Sequence, residues 1–453
     1  MRIIIDGAGE VGSHLAKMLR SEGNSVAVID NDRSRLTRLG SYADVEIIEG
    51  NPSSIDVLRE AGAQDADLFI AVFPFTSQEV NIVAAVLARH LGTAKVIARV
   101  NDEDCIKPEN LQVYKDMGIE LLSYPERGAA DEIVEQLHHS ATSETMEFAR
   151  GQLQIAAFNI DERSPIMDYK LSEFMAQLKD GEVEQFRVIA IARDGKTIIP
   201  KSDTKFFFGD LVFTISKRDG VDALAGYFGK KKVEVEKVMI LGGGAVASMV
   251  ASTLVRQGIK VKIIEADKNR CLELSQKLSE DVMIVNGDGR NSDFLFEEGI
   301  GDYDAFVAVT PGDEANVLAC VVARKFGVPR TIAEVENIEY MHLAEELGVD
   351  CVINKKMIMA GRIFKYTLGD KARFVKYMGG TDAEVVEYTV APGSLVTKGE
   401  LRDVGFPDNA IVGGVIRGNE SFIAVGSTRI EAYDRVAVFA LPQSIKSIDK
   451  FFN

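Results

Sequence analysis

The chain has no tryptophan, four cysteines, five histidines and eleven prolines in 453 residues. Cys105, Cys271, Cys320 and Cys351 form no CxxC pair and no tight cluster, which argues against a zinc ribbon or a disulfide framework and leaves them as small hydrophobes in a reducing compartment. The histidines make no HExxH, and the adjacent His138 and His139 would point about 100° apart on a helix, so they cannot share an ion at i, i+4 spacing. No apolar run approaches the roughly 18 residues of a transmembrane helix, so direct membrane insertion is not expected. MRIIIDG reads as a core strand running into a glycine loop rather than as a signal peptide, and a cytoplasmic location follows as the expectation. Positive charge is also in deficit: 52 Lys and Arg against 69 Asp and Glu give −17 and a pI near 4.9. That field repels phosphate backbones and anionic lipid, so nucleic acid is not an expected partner. A basic protein surface fits better, and cytoplasmic loops of membrane proteins are rich in Lys and Arg. Few prolines and no low-complexity tract indicate globular structure, with room for three or four domains of about 100 to 150 residues.

What is present is a duplication. IIID (3–6), a glycine loop, an amphipathic pattern through Leu15, Leu19 and Glu22, and SVAVID (25–30) make a βαβ unit. Further strands are predicted at 45–48, 68–73, 95–100 and 119–122, with helical patterns between them, which implies a parallel sheet covered on both faces. The same order recurs from Val238: Gly7 matches Gly242, Asp30 matches Glu265, Asn81 matches Asn316 and Arg99 matches Glu334, each 235 positions later. After each such unit comes a shorter, strand-rich one. FRVIAIARDGKTIIP (186–200) predicts a hairpin turning at Asp194-Gly195, and 206–216 a further strand; in the later copy (410–441) Arg417, Thr428 and Asp434 match Arg193, Thr204 and Asp210. The fold class is therefore α/β: two Rossmann-like doubly wound parallel sheets, each followed by a small α+β unit. The boundaries are 1–140, 145–225, 233–368 and 372–453, with the polar stretch 228–237 joining the halves.

GAGEVG (7–12) follows a strand and opens a helix. In such a loop Gly7 permits the tight turn, Gly9 lets the backbone approach a pyrophosphate, and Gly12 lets helix and strand pack closely. Glu10 and Val11 begin the helix, and Asp30, at the end of the second strand, is placed to accept from the ribose hydroxyls of an adenine nucleotide. A 2′-phosphate would meet Asp30 and Asp32, so NAD(H), ATP or ADP is expected rather than NADP. Gly50, Asn51, Val72 and Arg99 end the neighbouring strands and complete the first site. The second comprises Gly242, Gly244, Val246, Ala247, Glu265, Gly287, Asp288, Val309 and Thr310. Glu334 for Arg99 and Asp288 for Asn51 make it the more hostile to a triphosphate, so unequal ligand preferences are expected.

A dehydrogenase positions an acid or base beside its nicotinamide. No histidine lies between Asn159 and Met341, the small units offer strands and turns, and Asp161, Glu162 and Asp168 read as a solvated acidic face. Binding without catalysis is the expectation; an NAD-dependent oxidoreductase with a duplicated fold is the alternative. The helices predicted at 126–138 and 356–366 are apolar on one face, for the core or for pairing with another unit.

The combination resembles the TrkA family, the peripheral regulatory subunits of Trk potassium uptake, built from two regulator-of-potassium-conductance (RCK) units. GAGEVG with VAVID, the turns at 50–51 and 287–289, IARVND (97–102), SYPERGAADEIVEQL (123–137), SPIMDYKLSEF (164–174) and GDLVFTIS (209–216) carry the resemblance over nearly the whole chain. The departures are Asn51 where the family commonly has Asp, Glu334 where a basic residue is usual, and Tyr433 before Asp434 where the turn has Gly. The resemblance implies binding of NAD(H) and ATP or ADP and assembly of a homo-oligomeric ring, a tetramer with eight RCK units. It also implies docking on a membrane potassium-translocating subunit at the inner face of the plasma membrane.

Overall fold

The computed structural model describes all residues except 22, 74–77, 139–143, 149–150, 163, 179–184, 195, 218–219, 231–233, 368–371, 378–383, 442–443 and 453. Glu22, Gly195 of the predicted hairpin turn, His139, part of the polar connector and the domain limits at 140, 368 and 453 lie outside the described residues.

The first sheet is built from β1 (Arg2–Asp6), α1 (Glu10–Ser21), β2 (Ser25–Asp30), α2 (Arg33–Gly40), β3 (Glu46–Glu49), α3 (Ile55–Glu60), β4 (Leu68–Ala71), α4 (Gln78–Leu91), β5 (Lys95–Arg99), α5 (Pro108–Asp116), β6 (Leu121–Ser123) and α6 (Pro125–His138). Its six parallel strands run in the order β3-β2-β1-β4-β5-β6. The order reverses between β1 and β4, where doubly wound sheets open a crevice at the carboxyl ends of their strands. After the small unit β7 (Glu144–Phe148), β8 (Leu153–Asn159), α7 (Leu171–Met175), β9 (Phe186–Arg193), β10 (Lys196–Ile198), β11 (Leu211–Lys217) and α8 (Gly220–Tyr227), the sequence repeats the large one. It comprises β12 (Lys237–Leu241), α9 (Ala245–Arg256), β13 (Lys260–Glu265), α10 (Lys268–Lys277), β14 (Val282–Asn286), α11 (Ser292–Glu297), β15 (Ala305–Ala308), α12 (Asp313–Lys325), β16 (Arg330–Glu334), α13 (Ile338–Glu346), β17 (Cys351–Ile353) and α14 (Lys355–Thr367). The order β14-β13-β12-β15-β16-β17 matches the first sheet strand for strand. The last unit holds β18 (Ala372–Tyr377), β19 (Glu384–Thr389), β20 (Ala410–Arg417), β21 (Glu420–Ile423), β22 (Arg435–Ala440) and α15 (Ile445–Phe452).

The two small sheets are antiparallel and five-stranded, in the corresponding orders β10-β9-β11-β8-β7 and β21-β20-β22-β19-β18. They share one apolar core, in which Phe213, Ile215 and Leu153 of the first meet Phe439, Ile416 and Val385 of the second. Arg187 adds polar fastening by donating to the carbonyl of Ala424 (2.6 Å). The matched Arg, Thr and Asp positions do the same work in each copy. Arg193 makes a bidentate pair with buried Asp210 (2.7 and 2.8 Å) and Arg417 with Asp434 (2.9 and 2.8 Å), while Thr204 and Thr428 accept from Lys201 and Val425 N–H. The strand predicted from 206 begins only at Leu211, because Asp210 also accepts from Phe207 N–H and Gly209 takes φ +83°, turning the chain. In the later copy Tyr433 holds that left-handed conformation at φ +70°.

The chain divides into two compact units: residues 1–129 with 354–367, and residues 130–353 with 368–453. Helix α14 follows the second sheet in sequence, yet it packs in the first unit against α1. In the second unit, Arg330 at the start of β16 donates to the Gln136 carbonyl (3.3 Å) and side-chain oxygen (3.1 Å) of α6. Both helices thus touch the other Rossmann repeat of the chain, α14 through α1 and α6 through Arg330.

Candidate functional site

Each parallel sheet carries its predicted residues to the carboxyl edge beside the switch point. In the first, Gly7 takes φ +104° with the main chain of Val72 and Phe73 close against it: a Cβ at Gly7 would stand 3.0 Å from Phe73 N. Gly242 takes φ +102° and lies equally close to Val309 and Thr310. At Gly9 and Gly244 a Cβ would meet nothing within 4 Å, so the face of each loop that an anion would approach is open. At Gly12 a Cβ would stand 1.8 Å from the Gly7 carbonyl oxygen. The second loop is spaced to admit the methyl of buried Ala247 there. Helices α1 and α9 begin at Glu10 and Ala245, and their first N–H groups face the loops, an arrangement that favours phosphate.

The acidic residues ending β2 and β13 hold these loops. Ala8 N–H donates to Asp30 Oδ2 (2.6 Å) and Asp32 N–H to Oδ1 (2.8 Å). Gly243 N–H donates to Glu265 Oε2 (2.6 Å) and Asp267 N–H to Oε1 (2.7 Å). Each oxygen keeps further acceptor capacity. They differ in access: the Asp30 side chain is fully buried and Glu265 is partly exposed. Gly50 and Gly287 donate to the carbonyls of Asp30 and Glu265 (3.0 and 2.9 Å), which brings the following turns to the same edge.

In the first turn Asn51 accepts from Ser53 N–H (2.9 Å). In the second, Asp288 accepts from Arg290 N–H (3.0 Å) and takes the Arg290 guanidinium at 2.9 and 2.8 Å, which holds its carboxyl down to about 2. The adjacent guanidinium balances the Asp288 charge, so this substitution adds less negative field to the second site than the sequence comparison implies. Arg99 and Glu334 are both buried, which places neither in solvent. Ala98 belongs to the core beneath α4, so Arg99, one residue on, projects from the other face of the sheet.

Three features escaped the sequence reading. Asn81, matched to Asn316 only as a repeat position, clasps the strand ends beside the crevice. It accepts from Phe73 N–H (2.9 Å) and donates to the Arg99 carbonyl (3.1 Å); Asn316 accepts from Thr310 N–H (3.0 Å) and donates to the Glu334 carbonyl (2.8 Å). Their identity at the start of α4 and α12 was the available signal.

The second feature is Asp6, the last residue of β1 and fully buried, in register with the core residues Ile29 and Ala71. Among the described residues neither of its oxygens has a hydrogen-bond partner. Burial first and the nearby Asp30 second push its carboxyl well above the usual range. The repeat places Leu241, a core residue, at this position, and a charged residue ending an isoleucine run was the legible sign. The third feature is Lys356, which ion-pairs with Glu10 at the mouth of the first loop. Among the described residues no cluster of His, Cys, Asp and Glu is arranged to hold a metal, and no helix is long and apolar enough to cross a membrane. Asp161, of the predicted acidic face, ion-pairs with Lys230.

Comparison with known proteins agrees with this architecture. The TrkA-N domain model matches residues 3–125 and 238–355, and the TrkA-C domain model matches 385–453. The Trk system potassium uptake protein TrkA homolog of Archaeoglobus fulgidus is 34% identical over 452 residues, covering 100% of both chains. The TrkA protein of Haemophilus influenzae is 30% identical, covering 100% of this chain and 98% of its own. Among solved structures, the GsuK RCK domain superposes with a TM-score of 0.58 at 16% identity, covering 100% of this chain and 94% of that one. The GsuK channel bound to NAD gives 0.58 at 17% identity, covering 100% and 78%.

Proposed function

The chain belongs to the TrkA family, and on that premise we propose that it is a nucleotide-sensing regulatory subunit of potassium uptake. It binds NAD(H) and ATP or ADP in the two glycine-loop clefts and gates a membrane potassium-translocating subunit from the cytoplasmic side. The observation that carries this reading is the presence of two glycine loops, each at the carboxyl edge of a doubly wound sheet and each closed by a carboxylate, in a chain whose full-length relatives are named for potassium uptake. The NAD named for the GsuK neighbour supports the ligand class. Bound at Gly9 or Gly244, a dinucleotide would place its pyrophosphate on the helix N-terminus and its ribose by Asp30 or Glu265.

A ligand shifts a gating equilibrium only by its difference in affinity for the two states. The unlike surroundings of the two clefts, Arg99 against Glu334 and buried Asp30 against partly exposed Glu265, would let the two sites prefer different nucleotides, and each ligand would then bias gating by its own difference between the states. A net charge of −17 suits docking on Lys- and Arg-rich cytoplasmic loops, and a homo-oligomeric ring, a tetramer, would present the clefts around that contact. The test is rubidium uptake into vesicles carrying a Trk-type translocating subunit, with this protein added and NADH, ATP or ADP varied. Nucleotide-dependent uptake that requires the protein is expected. Uptake indifferent to the protein, or steady consumption of NADH with a small substrate, would overturn the reading.

A further inference from the structure

Lys356 is the second residue of α14, and its ammonium pairs with the carboxylate of Glu10. Glu10 is the fourth residue of GAGEVG and the first of α1, so a cation from the far half of the sequence stands at the mouth of the first glycine loop. Both residues belong to the same compact unit, where α14 packs on α1. Glu10 is 66% exposed and Lys356 23% exposed. An ion pair with so exposed a carboxylate is a weak tether, whereas a phosphate chain offers several charged acceptors to one ammonium. The N-terminus of α1 favours that phosphate at the same place.

We propose that Lys356 reads the phosphate chain of the nucleotide in the first site. Glu10 holds the ammonium when no phosphate chain is bound, and a longer chain draws Lys356 away from Glu10. This rests on the reading of the Gly7 loop as a nucleotide site. The repeat confines the device to the first half. Ala245 stands at the position of Glu10, and the register of β6 with β17 places Glu126 at the position of Lys356, so the second copy has no cation there. Phosphate number is therefore sensed unequally by the two loops, and the sensing residue arrives on a helix that follows the other loop in sequence.

The experiment titrates AMP, ADP and ATP, in buffer with EDTA, into full-length Gly244→Asp protein so that the first loop is read alone. The comparison is with the same protein carrying Lys356→Gln, Lys356→Arg or Glu10→Gln. Lys356→Gln is expected to weaken ATP about tenfold, ADP less and AMP hardly at all, while Lys356→Arg keeps the ATP preference. Glu10→Gln is expected to tighten ATP, because the competing carboxylate is gone. An unchanged ratio of ATP to AMP affinity in Lys356→Gln would overturn the proposal. So would a loss of ATP binding in Glu10→Gln equal to that in Lys356→Gln, since the pair would then merely hold the loop in shape. If Gly244→Asp protein binds none of the three nucleotides, nor NADH, the nucleotide reading of the first loop falls as well.

Discussion

The first and second Rossmann units have the same strand order and the same loop geometry, yet the residues that set charge at the crevice differ almost throughout. Asp6 corresponds to Leu241 in the repeat, Glu10 to Ala245, Asn51 to Asp288 and Arg99 to Glu334. What stays constant is the backbone apparatus: a left-handed first glycine, an open second one, a carboxylate receiving one N–H of the loop and one of the turn after its own strand, and an asparagine clasp. The repeat keeps the backbone apparatus of a dinucleotide fold and varies the charged side chains around it, which under the proposed function would make the ligand preferences unequal.

Exchanging the residues across the repeat breaks this comparison most sharply at Asp6. A buried carboxyl without a polar partner costs several kcal/mol in its charged form. Its pKa in the unfolded chain is about 3.9 and in the folded chain well above that. The folded state therefore binds a proton that the unfolded chain releases, so stability falls as pH rises from about 4 towards the folded value. Asp6→Leu should raise the melting temperature of the first unit, with a larger gain at pH 8 than at pH 5. Leu241→Asp should lower that of the second by an amount corresponding to roughly 3 kcal/mol or more, again worst at high pH. Scanning calorimetry across this range checks both, and a pH-independent Asp6→Leu effect would count against the buried acid.

The asparagine clasps test the conserved side of the comparison. Asn81→Ala and Asn316→Ala each strand buried main-chain groups, and each should cost about 2 kcal/mol, nearly equal in the two units. Urea unfolding followed by a unit-specific probe would reveal a disparity if one clasp were dispensable. The smallest effect lies in the small sheets. Tyr433 occupies the left-handed conformation that Gly209 holds in the first copy, so Tyr433→Gly should stabilise by about 1 kcal/mol. A loss of stability would mean that the Tyr433 ring makes contacts worth more than the strain.

Much of the fold was legible because its signals are local. Continuous apolar strands alternating with helices imply a parallel sheet, and the 235-residue register exposes the duplication even where single glycines are weak signs. The Arg193, Thr204 and Asp210 matches were visible as repeats before their shared hydrogen bonds gave them a reason. What was not legible depends on partners remote in sequence. The periodicity of 356–366 shows an apolar face and not that α14 crosses to α1, and nothing local to 186–216 or 410–441 shows that the two small sheets close on one core. The predicted site residues lie along the carboxyl edges of the two parallel sheets, but the balancing of Asp288 by Arg290 and the pairing of Glu10 with Lys356 required side-chain positions.

Whether both loops are live and unlike is read by calorimetric titration of NADH, ATP and ADP into the unmodified protein and into Gly9→Asp and Gly244→Asp. A Cβ at either position meets nothing within 4 Å, and each substitution sets a carboxylate where the phosphate would approach. Each variant is expected to remove a different ligand preference or binding step. Loss of all binding in Gly9→Asp with no effect of Gly244→Asp would contradict this expectation, leaving the second loop a structural remnant.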